Sequence, residues 1–171
     1  MWTEAETRAL IDEQLRKAGW EADTNNLRYS KGTRPVNGNL AIAEWKTDSE
    51  VGDNGFVDYA LFIGTKLVSL IEAKASHKNI SSVIDYQCKD YARNICADDE
   101  KYLIGTWGKF RVPFIFATNG RGYLAQLETM SGIWFQDLRR EDNAPKALSG
   151  WISPNGILEL LEKIFLRVMK N

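Results

Sequence analysis

The 171-residue sequence predicts a single α/β domain, residues 1–171, built on a mixed central β-sheet. A hydrophobic share of 44% is ample for one buried core at this length. Apolar residues with helical spacing lie near both ends of the chain, and short apolar segments typical of strands lie between them. The resulting order of elements, α–β–β–β–α–β–β–β–α, is that of an α/β domain with a mixed sheet.

The first helix is predicted to begin after Thr3, whose hydroxyl can cap it. Glu6 stands three positions further along, so the two residues form the pattern of a capping box. Gly19 is a natural C-terminal stop for this helix. The polar residues 21–38, which include Gly and Pro, predict a loop or an irregular strand.

The middle of the chain predicts six strands and one helix, and a last helix follows them. The segment Gly64–Lys66 separates two apolar runs, which indicates a β-hairpin. Ser153 and Pro154 occupy the cap and first-turn positions that favour a helix start. In chain order the predicted elements are strands 39–45, 56–63 and 67–74, a helix within 76–97 capped by Asn79 or Ser81, strands 112–118, 122–127 and 132–138, and helix 153–170.

The composition excludes several classes of protein. No apolar run approaches the roughly 20 residues that a bilayer-spanning helix needs. The acidic N-terminus lacks the apolar core of a signal peptide, so we expect a soluble, cytoplasmic domain. The net charge of −1 argues against strong nonspecific binding of nucleic acid by this chain alone.

The few cysteines and histidines exclude further kinds of site. Cys88 and Cys96 fall in a predicted helix, which separates their Cα atoms by about 12 Å and makes a disulfide impossible. His77 is the only histidine, and its polar neighbours indicate a solvated turn. A structural zinc site and catalysis by a Ser-His-Asp or Cys-His arrangement are therefore not expected.

The predicted hairpin carries charged residues within apolar strands. Asp58 lies in the first strand, and Glu72 and Lys74 lie near the end of the second. Charged groups inside a sheet that packs on both faces are costly to bury unless they are paired or bind a metal. Because side chains alternate along a strand, Glu72 and Lys74 project from the same face.

The register of the hairpin decides whether Asp58 joins that face. A three-residue loop, Gly64–Lys66, would place Asp58 directly opposite Glu72. A two-residue loop would pair Asp58 with Ile71 and send Glu72 to the other face. Only the first register is expected to make a site.

Two neighbouring carboxylates with a backbone carbonyl between them offer the hard oxygen ligands that Mg²⁺ prefers. Lys74, on the same face, could orient a water or stabilise charge on a pentavalent phosphorus. Its ammonium is also expected to keep both carboxylates ionised when no metal is bound. Such an assembly would cleave phosphodiesters, whereas the alternative interpretation is a cross-strand salt-bridge cluster at a sheet edge.

Gln87 and Tyr91 stand four residues apart on the helix that follows Lys74, so they share one face. This face is expected to pack on the sheet beside the carboxylates. A Gln and a Tyr directed at the same place would hold a DNA phosphate or a nucleophilic water. An ordinary helix with an amide and an aromatic residue at the core boundary is the alternative.

These residues resemble a known family of nucleases. Asp58, Glu72-Ala73-Lys74 and Gln87 to Tyr91 are similar to the PD-(D/E)XK signature in the variant with a QxxxY motif, although Val57 stands where the motif's name has proline. The whole chain resembles the N-terminal nuclease domain of the R (HsdR) subunit of type I restriction enzymes. The stretches that carry this wider likeness are 3–8, 39–45, 57–61, 113–121 and 131–135.

The resemblance implies a restriction-endonuclease-like core and specific roles for individual residues. Asp58 and Glu72 would hold Mg²⁺, and Lys74 would position or activate water. Gln87 and Tyr91 would contact DNA or support the site. The family also places a glutamate of the first helix near the metal, and we expect Glu4 in that role, because Glu6 is occupied by the capping box.

The resemblance also implies partners. The family joins this nuclease domain to motor domains that translocate double-stranded DNA using ATP, and it assembles with methylation and specificity subunits. No phosphate-binding Walker loop occurs here, so ATP chemistry and the motor domains would lie beyond the final helix, residues 153–170. The alternatives are a catalytically silent nuclease-fold module that binds DNA or a partner, and a stand-alone repair or phage nuclease.

Overall fold

The computed structural model describes residues 2–50, 55–75, 78 and 80–170, with side chains up to residue 163. These residues form a seven-stranded mixed sheet whose strands lie in chain order. Neighbouring strands are antiparallel except for the first and second and the fourth and fifth, which are parallel. The strands are β1 (Glu21–Ala22), β2 (Asn39–Lys46), β3 (Phe56–Ile63), β4 (Lys66–Ala73), β5 (Phe114–Thr118), β6 (Ile133–Asp137) and β7 (Lys146–Ala147).

Three α-helices accompany the sheet in the described part of the chain: α1 (Glu4–Lys17), α2 (Lys89–Arg93) and α3 (Pro154–Lys170). The predicted capping box is present at the start of α1. At the start of α3 the Ser153 hydroxyl accepts a hydrogen bond from the Gly156 N–H at 3.0 Å. A π-helical turn, Ile84–Cys88, leads directly into α2.

The sheet buries one apolar cluster on each face. The first cluster lies under the π-helical turn and α2, and it includes Trp45, Leu70, Ile84 and Tyr91. The second lies under α1 and the start of α3, and it includes Ile11, Leu15, Ile71 and Ile157. A sheet covered on both faces explains why β3, β4 and β5 are nearly continuous apolar runs.

The α/β class and the mixed sheet are confirmed, but two predicted elements were wrong. Residues 122–127 form no strand, because β5 pairs directly with β6 and leaves this segment without a partner. Tyr123, Leu124 and Leu127 are exposed there. The short strand β7 was not predicted, whereas β1 lies within residues 21–38, for which a loop or an irregular strand was predicted.

The predicted helix 76–97 is much shorter in the structure, where the helical residues are the π-helical turn Ile84–Cys88 and α2, Lys89–Arg93. It ends at Arg93 because neighbouring segments take the carbonyl groups that would continue it. The Arg111 N–H donates to the Ala92 carbonyl at 3.0 Å, and the Asp48 N–H donates to the Asn94 carbonyl at 2.7 Å.

The cysteines, His77 and the helices were also the subject of predictions from the sequence. Cys88 and Cys96 are both free thiols, and Cys96 lies beyond the end of α2. His77 and Asn79 lie outside the described residues. Among the described helices none combines the length and the apolar character that crossing a membrane requires.

Gly55, immediately before β3, offers a test of how tightly the segment leading to Asp58 is packed. Its φ is +82°, and a Cβ atom there would lie 2.7 Å from the Thr47 carbonyl oxygen and 2.9 Å from that of Ser49. Gly64 in the hairpin turn has a φ of +60° with open space around it. The positive φ disfavours a side chain at both positions, but only at position 55 would a side chain also clash with neighbouring atoms.

We predict that Gly64→Ala lowers the melting temperature by about 2–4 °C, as expected for about 1 kcal/mol in a protein of this size. Gly55→Ala should lower the melting temperature at least twice as much. Thermal unfolding of both variants checks this. Equal losses would show that the backbone near Thr47 and Ser49 moves aside easily.

Candidate functional site: a buried carboxylate pair

The β3–β4 hairpin brings Asp58 and Glu72 together by a route that the sequence did not predict. The turn has two residues, because Ile63 pairs with Lys66. A β-bulge at Val68 then shifts the register, and beyond it Tyr59 pairs with Ile71. One position further along, Asp58 therefore lies beside Glu72. The predicted three-residue loop was wrong, but the bulge adds the one residue that restores the facing pair.

Side chains from α1 and the hairpin surround a cavity of about 200 Å³. Four of the six predicted site residues line it, namely Glu4, Asp58, Glu72 and Lys74. Glu6 instead accepts a hydrogen bond from the Thr3 N–H at 2.9 Å in the capping box. The complete lining is Glu4, Thr7, Arg8, Asp58, Glu72, Ala73, Lys74 and Ala75.

Asp58 is held from two directions. One carboxylate oxygen, Oδ2, accepts a hydrogen bond from the Ala73 N–H at 2.6 Å. The other, Oδ1, accepts from Arg8 Nη1 at 3.0 Å, and Arg8 Nη2 also donates to the Asp58 carbonyl at 3.0 Å. Each carboxylate oxygen can accept more than one bond, so both retain capacity on the cavity side.

Glu72 is buried, with 4% of its surface exposed, and it hydrogen-bonds with Asp58. Burial is the main reason that its pKa lies well above the ordinary value, and the neighbouring Asp58 raises the pKa further. Lys74 and a hydrogen bond with Tyr91 lower the pKa, but by less. The expectation that Lys74 keeps both carboxylates ionised was therefore wrong, because the cost of burying Glu72 exceeds the attraction of the ammonium.

Tyr91 and Gln87 occupy different environments. Tyr91 is fully buried on α2 and hydrogen-bonds with Glu72, so it contacts the site from the face of the sheet that α2 covers. Gln87 lies half-buried in the π-helical turn and does not line the cavity. Gln87 lies in the π-helical turn Ile84–Cys88, whereas Tyr91 lies in α2, Lys89–Arg93.

Arg8 is the residue of the site that sequence reasoning missed. Its side chain is only 8% exposed and forms ion pairs with both Asp58 and Glu44 at 3.0 Å. Burial alone lowers the pKa of Arg8, but Tyr59, Asp58 and Glu44 together raise it above the ordinary value. Its position, one helical turn after Glu4 on the face of α1 that contacts the sheet, is the signal that could have found it.

The donor set of the cavity suits a hard divalent cation. The neighbouring carboxyl groups of Asp58 and Glu72 supply oxygen atoms, and the cavity leaves space for a cation with bound water. Burial, more than the neighbouring Asp58, raises the pKa of Glu72, and a bound cation would favour its ionised form. Among the described residues no group of three or more His, Cys, Asp and Glu side chains is placed to hold a metal.

The buried carboxyl group makes a prediction about stability. Unfolded Glu72 loses its proton near its ordinary pKa of 4.5, whereas the folded protein retains the proton to higher pH. The unfolded state therefore binds fewer protons above this pH, and the free energy of unfolding falls as the pH rises. Glu72→Gln removes this loss, so in metal-free buffer it should raise the melting temperature by a few degrees at pH 8 and have little effect at pH 4.5.

Differential scanning calorimetry at the two pH values measures this effect. Glu159→Gln, at an exposed position in α3, is the control and should leave the melting temperature unchanged at both. An equal shift at pH 4.5 and pH 8 would contradict the assignment of the effect to ionisation of Glu72.

Comparison with known proteins places the chain in a family. The family model for the second domain of the type I restriction enzyme EcoKI endonuclease subunit matches residues 21–161. The type I restriction enzyme EcoKI endonuclease subunit of Escherichia coli (strain K12) is 40% identical over 183 residues, which cover 93% of this chain and 16% of that protein. The chain thus spans about a sixth of its relative's length, and no solved structure matches it. The resemblance to type I R subunits is confirmed: the chain belongs to the family of the type I restriction enzyme endonuclease subunit second domain.

Proposed function

We propose that this chain is the nuclease domain of a type I restriction R subunit and cleaves double-stranded DNA in a Mg²⁺-dependent reaction. The observation that carries the proposal is the arrangement of Asp58, Glu72 and Lys74 around one cavity. The relative is an endonuclease subunit by name, which supports the same reaction class. The proposal assigns these three residues to the PD-(D/E)XK signature.

Each side chain has a role that follows from its place. Asp58 and Glu72 would hold Mg²⁺, which when bound supplies Lewis-acid polarisation of the scissile phosphate. Cation binding would also relieve the unfavourable burial of the Glu72 carboxylate. The Lys74 ammonium lines the same cavity and would orient a water for attack on phosphorus.

The proposed roles of the supporting residues Glu4, Tyr91 and Gln87 depend on where each side chain lies and how deeply it is buried. Glu4 lines the cavity from the N-terminal turn of α1 and would accept a hydrogen bond from a metal-bound water. Fully buried Tyr91 would support the site by holding Glu72. Gln87 is half-buried, so it remains a candidate for contact with the DNA backbone.

The larger assembly is also part of the proposal. We place this domain as a single unit, residues 1–171, with α3 leading toward motor domains that use ATP. Methylation and specificity subunits would supply target recognition in the cytoplasm. The net charge of −1 fits this arrangement, because DNA affinity would come from the assembled complex.

One observation favours the alternative of a catalytically silent module that binds DNA or a partner. Arg8 already neutralises Asp58, so the structure has no need of a metal to satisfy that carboxylate. Against this alternative, binding alone requires neither a buried Glu72 nor a lysine beside it. The mutations below separate the two functions.

We predict that Asp58→Ala abolishes DNA cleavage by the full restriction complex, because a metal ligand is lost. Lys74→Ala should reduce cleavage by roughly 10²–10⁴-fold, the range for loss of a proton-transfer or water-positioning group. Gln87→Ala should reduce it less. Plasmid cleavage assays measure these effects, and ATP hydrolysis should stay at the wild-type rate in all three variants.

Lys66→Ala is the matched control, since Lys66 lies on the same strand but is exposed at the hairpin turn. It should cleave DNA normally. Wild-type cleavage by Asp58→Ala would rule out the proposed site. Intact DNA binding by a wild-type chain that never cleaves would favour the silent module.

The assignment of Glu4 rather than Glu6 makes a separate prediction. Glu4→Gln should reduce cleavage at limiting Mg²⁺ by 10–100-fold, the usual cost of removing an outer-shell group. Glu6→Gln keeps the capping box, in which glutamine functions as well, and should cleave normally. A titration of cleavage rate against Mg²⁺ concentration for both variants checks this, and the reverse result would assign the role to Glu6.

A further inference from the structure

Arg8 holds both the side chain and the main chain of Asp58. Its Nη1 donates to Asp58 Oδ1 at 3.0 Å, and its Nη2 donates to the Asp58 carbonyl oxygen at 3.0 Å. Its Nε donates to the Tyr59 hydroxyl at 3.2 Å, and the guanidinium lies 4.5 Å from the centre of the Tyr59 ring. The position of Arg8 therefore determines where Oδ1 of Asp58 points.

Glu44 contacts the other side of Arg8. Its Oε1 accepts from the same Nη1 atom that donates to Asp58, at 3.0 Å. The Arg8 side chain is 8% exposed and that of Glu44 is 27% exposed, so the pair is shielded from competing water. A planar guanidinium held by two carboxylates and a ring has little freedom to turn.

Glu44 adopts a strained backbone conformation to make this contact. Among the described residues it is the one other than glycine with a positive φ, 55°. It lies in β2 between Ala43, which pairs with Tyr59, and Trp45, which pairs with Val57. A left-handed residue inside a strand is unfavourable for any side chain, and such strain concentrates at functional sites.

The left-handed conformation of Glu44 interrupts the regular alternation of side chains along β2. Ile42 and Trp45 pack in the same apolar cluster although they are three residues apart. In a regular strand, residues three apart lie on opposite faces of the sheet. One residue between Ile42 and Trp45 therefore departs from this alternation. With Trp45 in the core, the carboxylate of Glu44 meets Arg8 instead of entering that cluster.

We propose that Glu44 is a positioning residue of the cation site, acting on Asp58 through Arg8. This inference rests on the proposed function, in which Asp58 is a metal ligand. Glu44 fixes Arg8, and Arg8 orients the Oδ1 atom of Asp58 while the Ala73 N–H orients Oδ2. The strained φ persists because it directs this carboxylate at Arg8, and the fold alone would be better served by glycine.

The test compares Glu44→Gly with Glu44→Gln. Glycine relieves the strain but removes the contact with Arg8, so Glu44→Gly should raise the melting temperature of the metal-free chain while weakening metal binding by 10–100-fold. Glutamine keeps an oxygen acceptor for Arg8 and should weaken metal binding less. Calorimetric titration of the purified chain with Mn²⁺ measures the affinities without any cleavage assay.

Glu21→Gln, at an exposed position on the neighbouring strand β1, is the control and should match the wild type in both measurements. Wild-type Mn²⁺ affinity in Glu44→Gly would overturn the proposal. A fall in both affinity and melting temperature in Glu44→Gly would also overturn it, since that pattern marks a purely structural residue.

Asp58→Asn separates the failure of this inference from failure of the proposed function. If Asp58→Asn binds Mn²⁺ like the wild type, the metal site itself is misplaced. If Asp58→Asn loses Mn²⁺ binding and Glu44→Gly keeps it, the site stands and only the role of Glu44 is wrong.

Discussion

The burial of Glu72 against Asp58 is the constraint on which the arrangement of this site depends. Two carboxyl groups in a sheet covered on both faces cannot both carry a charge without compensation. The protein compensates in three ways: the Arg8 guanidinium and the Ala73 N–H bind Asp58, and Glu72 retains a proton to higher pH. In the proposed function a divalent cation would favour the ionised form of Glu72.

The elements around this pair can be understood from that requirement. Strand β5 pairs in parallel with β4, so Glu72 lies on a central strand and not on an edge strand of the sheet. Helix α1 packs with its N-terminal turn toward the hairpin, which places Glu4 at the cavity and Arg8 against Asp58. From the opposite face, α2 contributes the Tyr91 hydroxyl beside Glu72. The pair is therefore held by helices on both sides of one sheet.

Particular residues show how far sequence reasoning reached. The capping box at Thr3 and Glu6 and the start of α3 depend on neighbours three or four positions apart, and both were predicted correctly. Asp58, Glu72 and Lys74 stood out because charge inside an apolar strand is unusual. The strand expected at 122–127 was wrong, because a strand exists only where another strand pairs with it. The length of α2 likewise depended on hydrogen bonds from distant segments.

The sequence by itself determined the class of fold, the order of its main elements and the charged residues of the hairpin. These properties follow from local spacing and from the cost of burying charge. Only the tertiary structure decided that a bulge at Val68 aligns Asp58 with Glu72, and that Arg8 joins Asp58 to Glu44. Arg8 is 36 residues from Glu44 and 50 from Asp58, and no local pattern encodes contacts between segments so far apart. Their geometry results from packing both faces of the sheet at once.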